Sequence, residues 1–294
     1  MKNPMLAMKK EKDYFIGIDS DGCAFDSMEI KHKECFIPNT INYWDLQPIA
    51  KYAREAAEFV NLYSKWRGIN RFPGLIHVID LLSEREECVR RGYQPPDMGA
   101  LQNWIREETK LGNPALIEKV QTHPLPILVK TLEWSMAVNK AIEDMVRNIP
   151  PFPYVRESLG AMTMDCDIVV VSATPNEALH REWQEHGIDG FAKVIAGQEI
   201  GTKKESMRAA AEKGYEPDKM LMIGDAPGDY EAARAAHALF YPINPGKEEE
   251  SWERFYNEGL ERFIKGTYKG EYEQELKREF DTFLPDRPWW EVKK

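Results

Sequence analysis

The sequence predicts an α/β fold: a parallel sheet with helices on both faces and an all-helical domain inserted after the first strand. Three observations predict it. An apolar run at Tyr14–Ile18 ends in two aspartates and a glycine. From Asp167 onward, strand-like runs alternate with helical patterns, as βαβ units do. Between these regions, residues 27–149 show helical spacing and no convincing strand.

The first element is the run 14–18. It reads as a strand buried on both faces. Residues two apart on an extended chain point to the same side, so Asp19 and Asp21 project together beyond its end. Two carboxylates facing one point repel unless a cation or a shared proton relieves them, which marks a metal or acid/base site. A solvated Asp-Gly turn is the plain alternative. A calcium loop is excluded: counted from Asp19, the sixth residue is Ala24 and the twelfth Ile30, where glycine and glutamate are required.

In the insertion, helical spacing runs over 49–66, 75–89, 101–108 and 127–146. Prolines at 73, 95, 96, 114, 124 and 126 mark boundaries. Pro150, Pro151 and Pro153 form a stiff return linker. Within 65–73, Lys65, Arg67 and Arg71 crowd around a glycine break; Arg67 or Arg71 could grip a phosphate or carboxylate, and a helix end with dipole-favoured cations is the plain reading. Trp44, Trp66, Trp104 and Trp134 read as core of this insertion.

The later strands are expected at 168–171, 194–196, 220–223 and 239–243, with helices over 175–186, 203–214 and 227–237. Right-handed crossovers place the C-terminal ends of all strands at one edge. There lie Ser172 and Thr174, the Lys203-Lys204 pair that opens a helix, and Asp225 and Asp229. Singly, each has a capping or solvation explanation. The tail from 247 predicts two more helices, at 247–264 and 271–283.

In order and wording, DSDG at 19–22, VVVSAT at 169–174, Lys203 and GDAPGD at 224–229 resemble the four motifs of the haloacid dehalogenase superfamily of phosphohydrolases. An insertion directly after the first motif resembles the helical cap of the phosphoglycolate phosphatase and β-phosphoglucomutase branch, and PFPYVRESL at 151–159 resembles that branch's re-entry. The resemblance implies a three-layer Rossmann-like core at 13–26 and 150–245, a cap at 27–149, and an extension at 246–294 packed on either. It implies Asp19 as nucleophile, Asp21 as general acid and base, Ser172 as hydrogen-bond donor to the phosphoryl group with Thr174 nearby, and Lys203 as charge neutraliser. Magnesium would be held by Asp19, the Asp21 backbone carbonyl and Asp225, with Asp229 either a direct ligand or the holder of a bound water. Lys203 is favoured over Lys204 because Lys203-x-Glu205-x-Met207 resembles the family's wording. Cys23 and Tyr154 depart from the family's usual threonine and glycine.

A carboxylate at position 21 favours phosphate-monoester cleavage over dehalogenation; a phosphomutase and a non-catalytic interaction protein are the alternatives. The expected partner is a small phosphorylated metabolite. Either the enlarged cap or the tail could form a homo-oligomer interface.

The totals agree with this reading. With 39 basic and 49 acidic residues, the net charge of −10 argues against a general nucleic-acid binder. Four scattered cysteines fit a reduced, cytoplasmic compartment. No run approaches the length of a membrane span. Gly197 to Lys203 lacks P-loop spacing, and His180 and His186, six apart, are no zinc pair.

Overall fold

The structure is a computed structural model, which describes residues 3–291. Five parallel strands form one sheet in the order β3-β2-β1-β4-β5. They are β1 (Tyr14–Ile18), β2 (Cys166–Val171), β3 (Val194–Ala196), β4 (Met220–Gly224) and β5 (Leu239–Pro242). Branched and long apolar side chains bury both faces, as a sheet covered on each side requires. Ile18 is in register with Val170 of β2 and Ile223 of β4, so these three strands end level. The chain winds from β1 to one side through β2 and β3, then returns to β4 on the other. Loops at such a reversal open a crevice beyond the strand ends.

Strand β2 starts two residues before its apolar run because Asp167 is buried inside it. Its carboxylate accepts the Glu11 and Lys12 amides (2.8 and 3.0 Å) and the Tyr215 hydroxyl (2.5 Å), and pairs with Lys193 (2.6 Å). These partners offset the cost of burying a charge. They come from distant chain segments, so the residue's place in a strand was hidden from pattern.

The chain divides into two compact units. The sheet unit holds residues 3–28 and 148–285. Its connecting helices include Val155–Met162, Asn176–Glu185, Lys203–Ala211 and Pro227–Ala235. Tyr154, which precedes the first of them, has φ +68°. That left-handed conformation suits glycine, which accounts for the glycine usual at this point of the re-entry. Much of the tail also belongs here: Trp252 Nε1 donates to the Cys23 carbonyl (2.7 Å), and Tyr268 Oη to that of Phe240 (2.7 Å).

The helical unit holds residues 29–147 and 286–291. Its longer helices are Ala50–Asn61, Arg71–Glu84, Gly99–Glu107, Asn113–Thr122 and Pro126–Met145. Trp44, Trp104 and Trp134 are buried in its core, while Trp66 is partly buried and stacks on His77 (4.3 Å). The end of the tail joins this unit, with Asp286 paired to Lys65 (2.8 Å) and Trp290 packed on Phe59 (5.9 Å). The expected single C-terminal extension is thus shared between the two units.

Candidate active site

Each site residue of the sheet unit is placed by a short rule of local structure. Asp19 follows β1, and its amide still donates to Ile223 of β4 (3.0 Å). Asp225 follows β4 directly. Asp229 lies in the first turn of the Pro227–Ala235 helix and folds back so that Oδ2 accepts the Ala226 amide (3.1 Å). Gly224 makes that fold possible: a Cβ there would stand 2.3 Å from the Asp229 Cγ. Lys203 opens the Lys203–Ala211 helix, whose start is fixed by a capping box between Thr202 and Glu205.

These elements bring together three buried carboxylates and one cation. One oxygen each of Asp19, Asp225 and Asp229 lie within 4.8 Å of one another. Lys203 Nζ stands 2.7 Å from Asp19 Oδ2 and 2.6 Å from Asp229 Oδ1. Lys204 instead pairs with Glu231 at the surface (2.5 Å). Asp19 Oδ1 accepts the Ser20 amide (2.8 Å).

Burial raises the pKa of Asp19 to about 6; Lys203 opposes the rise and Asp225 adds to it. Asp229 is likewise raised to about 6, by burial first, against Lys203 and with Asp19. For Lys203, burial works against the charge, yet Asp19, Asp229 and Asp225 raise its pKa overall.

A divalent cation fits this set. Three carboxylates against one ammonium leave two negative charges, and every donor is a hard oxygen, as magnesium prefers. The Cys23 thiol is pushed well up by burial, with Asp225, Asp19 and Asp229 adding, and so stays protonated.

The sign of the pH dependence follows. With folded-state values raised to about 6, Asp19 and Asp229 contribute most to stability below their ordinary value of 3.8, and that contribution fades as pH rises through about 6. A bound dication must displace those protons and then offsets the repulsion. Magnesium is therefore expected to raise the melting temperature more at pH 7.5 than at pH 5, as fluorimetry can read. An equal rise at both values would show that these carboxylates do not hold it.

Asp21 stands apart from the carboxylate group. Its Oδ1 accepts the Ser27 hydroxyl (2.5 Å) and its Oδ2 the Thr174 hydroxyl (2.6 Å). Thr174, expected near a substrate, is thus bound to Asp21. Ser172 is buried; its Oγ accepts the Thr174 amide (3.2 Å), and no acceptor among the described residues takes its proton. That hydrogen remains available for an incoming oxygen.

Ser27, six residues beyond Asp21, carries no signal in the sequence. Ser20 is a second unforeseen residue: its Oγ accepts the Trp183 indole (3.0 Å) and donates to Glu182 (3.2 Å). A hydroxyl between two aspartates was the available signal.

Arg67 and Arg71 both lie in the helical unit. Arg67 is buried, and its Nη1 donates to the Leu62 carbonyl (2.8 Å), holding the turn after the Ala50–Asn61 helix. Arg71 hydrogen-bonds Ser135 and Asn139. Arg67 is thus buried beside the end of that helix, and Arg71 is partly buried.

The fold and site together define an enzyme with a carboxylate centre at the crossover point of a parallel sheet. A sequence model described as haloacid dehalogenase-like hydrolase matches residues 42–237. The chain belongs to that family of hydrolases. The matched span starts beyond Asp19 and Asp21, so the part these two play rests on the geometry above.

Among solved structures, the chain is similar to a provisionally named phosphoglycolate phosphatase from Lactobacillus delbrueckii subsp. bulgaricus. Identity is 16%, covering 86% of this chain and 99% of the other, at a TM-score of 0.50. A predicted phosphoglycolate phosphatase from Haemophilus somnus matches at 12% identity over 79% and 86% of the two chains, TM-score 0.46. A haloacid dehalogenase-like family hydrolase from Xanthomonas campestris matches at 11% identity over 90% and 98%, TM-score 0.46. At 16% identity, the likeness to the Lactobacillus structure shows the fold alone. No curated protein matches the sequence.

Proposed function

We propose that the protein is a Mg²⁺-dependent phosphohydrolase that cleaves a phosphate monoester of a small metabolite through an aspartyl-phosphate. One observation carries the reading. Asp19 is a buried carboxylate held by Lys203 beside Asp225 and Asp229, with a second carboxylate, Asp21, two residues further along.

An Asp19 oxygen attacks phosphorus as the bond from phosphorus to the ester oxygen breaks, and Asp21 gives its proton to the departing oxygen. Asp21 then takes a proton from water, whose oxygen attacks phosphorus, releasing phosphate and restoring Asp19. Ser172 donates its available hydrogen to a phosphoryl oxygen, and Lys203 offsets charge on Asp19 and the transferring group. Magnesium would be held by Asp19, Asp225, Asp229 and the Asp21 backbone carbonyl, and would supply positive charge to the transferring phosphoryl group.

The net charge of −10 leaves no general attraction for nucleic acid, and no described helix is long and apolar enough to cross a membrane. The reading carries with it a reduced, cytoplasmic setting, which the four free, buried cysteines suit.

The experiment is a panel of phosphorylated metabolites assayed for free phosphate and for isomerised sugar phosphate, with and without Mg²⁺. Metal-dependent release of free phosphate is expected. Isomerised product without release would make the protein a phosphomutase, and inertness towards every compound would overturn the hydrolase reaction proposed.

A further inference from the structure

The family resemblance implies Thr174 near the substrate, yet its hydroxyl lies 2.6 Å from Asp21 Oδ2, across 153 residues of chain. The other oxygen of Asp21 accepts the Ser27 hydroxyl (2.5 Å). The terminal torsion of an aspartate is broad when nothing holds it. A bond on each oxygen fixes the plane of the carboxyl group as well as its place. An acid or base must lie within hydrogen-bond reach of the proton that it moves, so this orientation bears on rate.

Thr174 is itself held. Its amide donates to Ser172 Oγ (3.2 Å), and its carbonyl accepts the Gln198 amide (3.0 Å). Two residues on, Asn176 Oδ1 accepts the Gly197 amide (2.7 Å), and the Asn176 amide donates to Glu199 (2.8 Å). These bonds tie the segment that follows β2 to the segment that follows β3. Gly197 lets the two close. A Cβ there would stand 2.4 Å from the Thr174 carbonyl oxygen, 2.6 Å from Asn176 Oδ1 and 2.9 Å from the Asn176 nitrogen. Two of those atoms are backbone and cannot turn aside. The φ of Gly197 lies outside the left-handed region, so space and not backbone conformation calls for glycine.

We propose that Thr174 is a positioning residue for Asp21, seated by the close approach of Gly197, and not a contact to the substrate. The inference rests on the phosphohydrolase reading and deepens it. Asp21 gives its proton to the departing ester oxygen, and the bond to Thr174 sets where that proton is delivered. An alkoxide needs that proton to leave, whereas a carboxylate leaves without it.

The readout is a ratio: kcat/KM for an alkyl phosphate from the metabolite panel over kcat/KM for acetyl phosphate, whose acetate leaves unprotonated. This constant covers the steps through the first phosphoryl transfer, where Asp21 acts as acid. Thr174→Val keeps the shape and loses the hydroxyl. It should lower the ratio by about tenfold or more, part of the roughly 10²–10⁴-fold that a placed acid supplies. Thr174→Ser keeps the hydroxyl and should hold the ratio within about threefold of the intact protein. Gly197→Ala touches neither Asp21 nor the leaving group, and should lower the ratio as Thr174→Val does.

Partial unfolding, or loss of a contact to the phosphoryl group, would slow both esters together and leave the ratio unmoved. The fall should be alike for every alkyl ester turned over. A fall confined to one ester would make Thr174 a contact to that substrate and overturn the proposal. So would an unchanged ratio in Thr174→Val or in Gly197→Ala. If the intact protein releases phosphate and the variants keep its ratio, this inference falls alone. If the intact protein releases none, the phosphohydrolase reading falls and takes this inference with it.

Discussion

Asp19→Asn is expected to lower phosphate release by at least about 10³-fold, the scale on which loss of a covalent nucleophile acts. The substitution keeps shape and removes one charge. Asp19 is buried, accepts the Ser20 amide and pairs with Lys203, and asparagine can still occupy that space. It also removes one of three mutually repelling carboxylates. The metal-free melting temperature should therefore hold or rise, while the magnesium-dependent rise shrinks. Steady-state kinetics beside thermal melting checks both. Lost activity with lost folding would point to a structural role, and retained activity would remove Asp19 from the chemistry.

Lys203→Met is expected to have the second largest effect, with loss of both stability and rate. Lys203 is the cation that reaches both Asp19 and Asp229, and methionine fills the space without charge. Removing one partner from a buried charge pair costs about 3–5 kcal/mol. Losing a preorganised positive charge at the reacting group costs about 10²–10³-fold in rate. Magnesium should restore part of the stability, because it offsets the same carboxylates, and little of the rate. Lys204→Met, which breaks a surface pair with Glu231, should leave both nearly unchanged. If the two variants behaved alike, the ion pairs of Lys203 would not matter as described.

The pairing of stable fold and costly site explains which parts of this molecule could be read from its sequence. The strands were legible because a doubly covered sheet needs continuous apolar runs, as at Tyr14–Ile18 and Met220–Gly224. The carboxylates were legible because they follow those strands directly. Asp229 could be placed only as near the site; that it folds back through the space left by Gly224 is a fact of three dimensions. The segment from Ser27 to Tyr43 was missed because its turns change from α to π and back, which smears a period of 3.6. The Asn113–Thr122 helix is hidden in the sequence because Pro114 reads as a boundary, whereas at a first-turn position it belongs inside. Arg71 was legible as a cation worth notice, but its neutral neighbours, Ser135 and Asn139, lie more than sixty residues away in sequence. A longer separation, 153 residues, hid Thr174 from Asp21.

The central claim is that Asp19 carries the phosphoryl group. Its most direct test is a single-turnover reaction with the best substrate of the panel, quenched in acid and digested for mass spectrometry. The account predicts one phosphoryl group on the peptide that contains Asp19, formed only with Mg²⁺ and absent from Asp19→Asn. Rapid Mg²⁺-dependent release with no adduct on that peptide, or with the adduct on another residue, would contradict it.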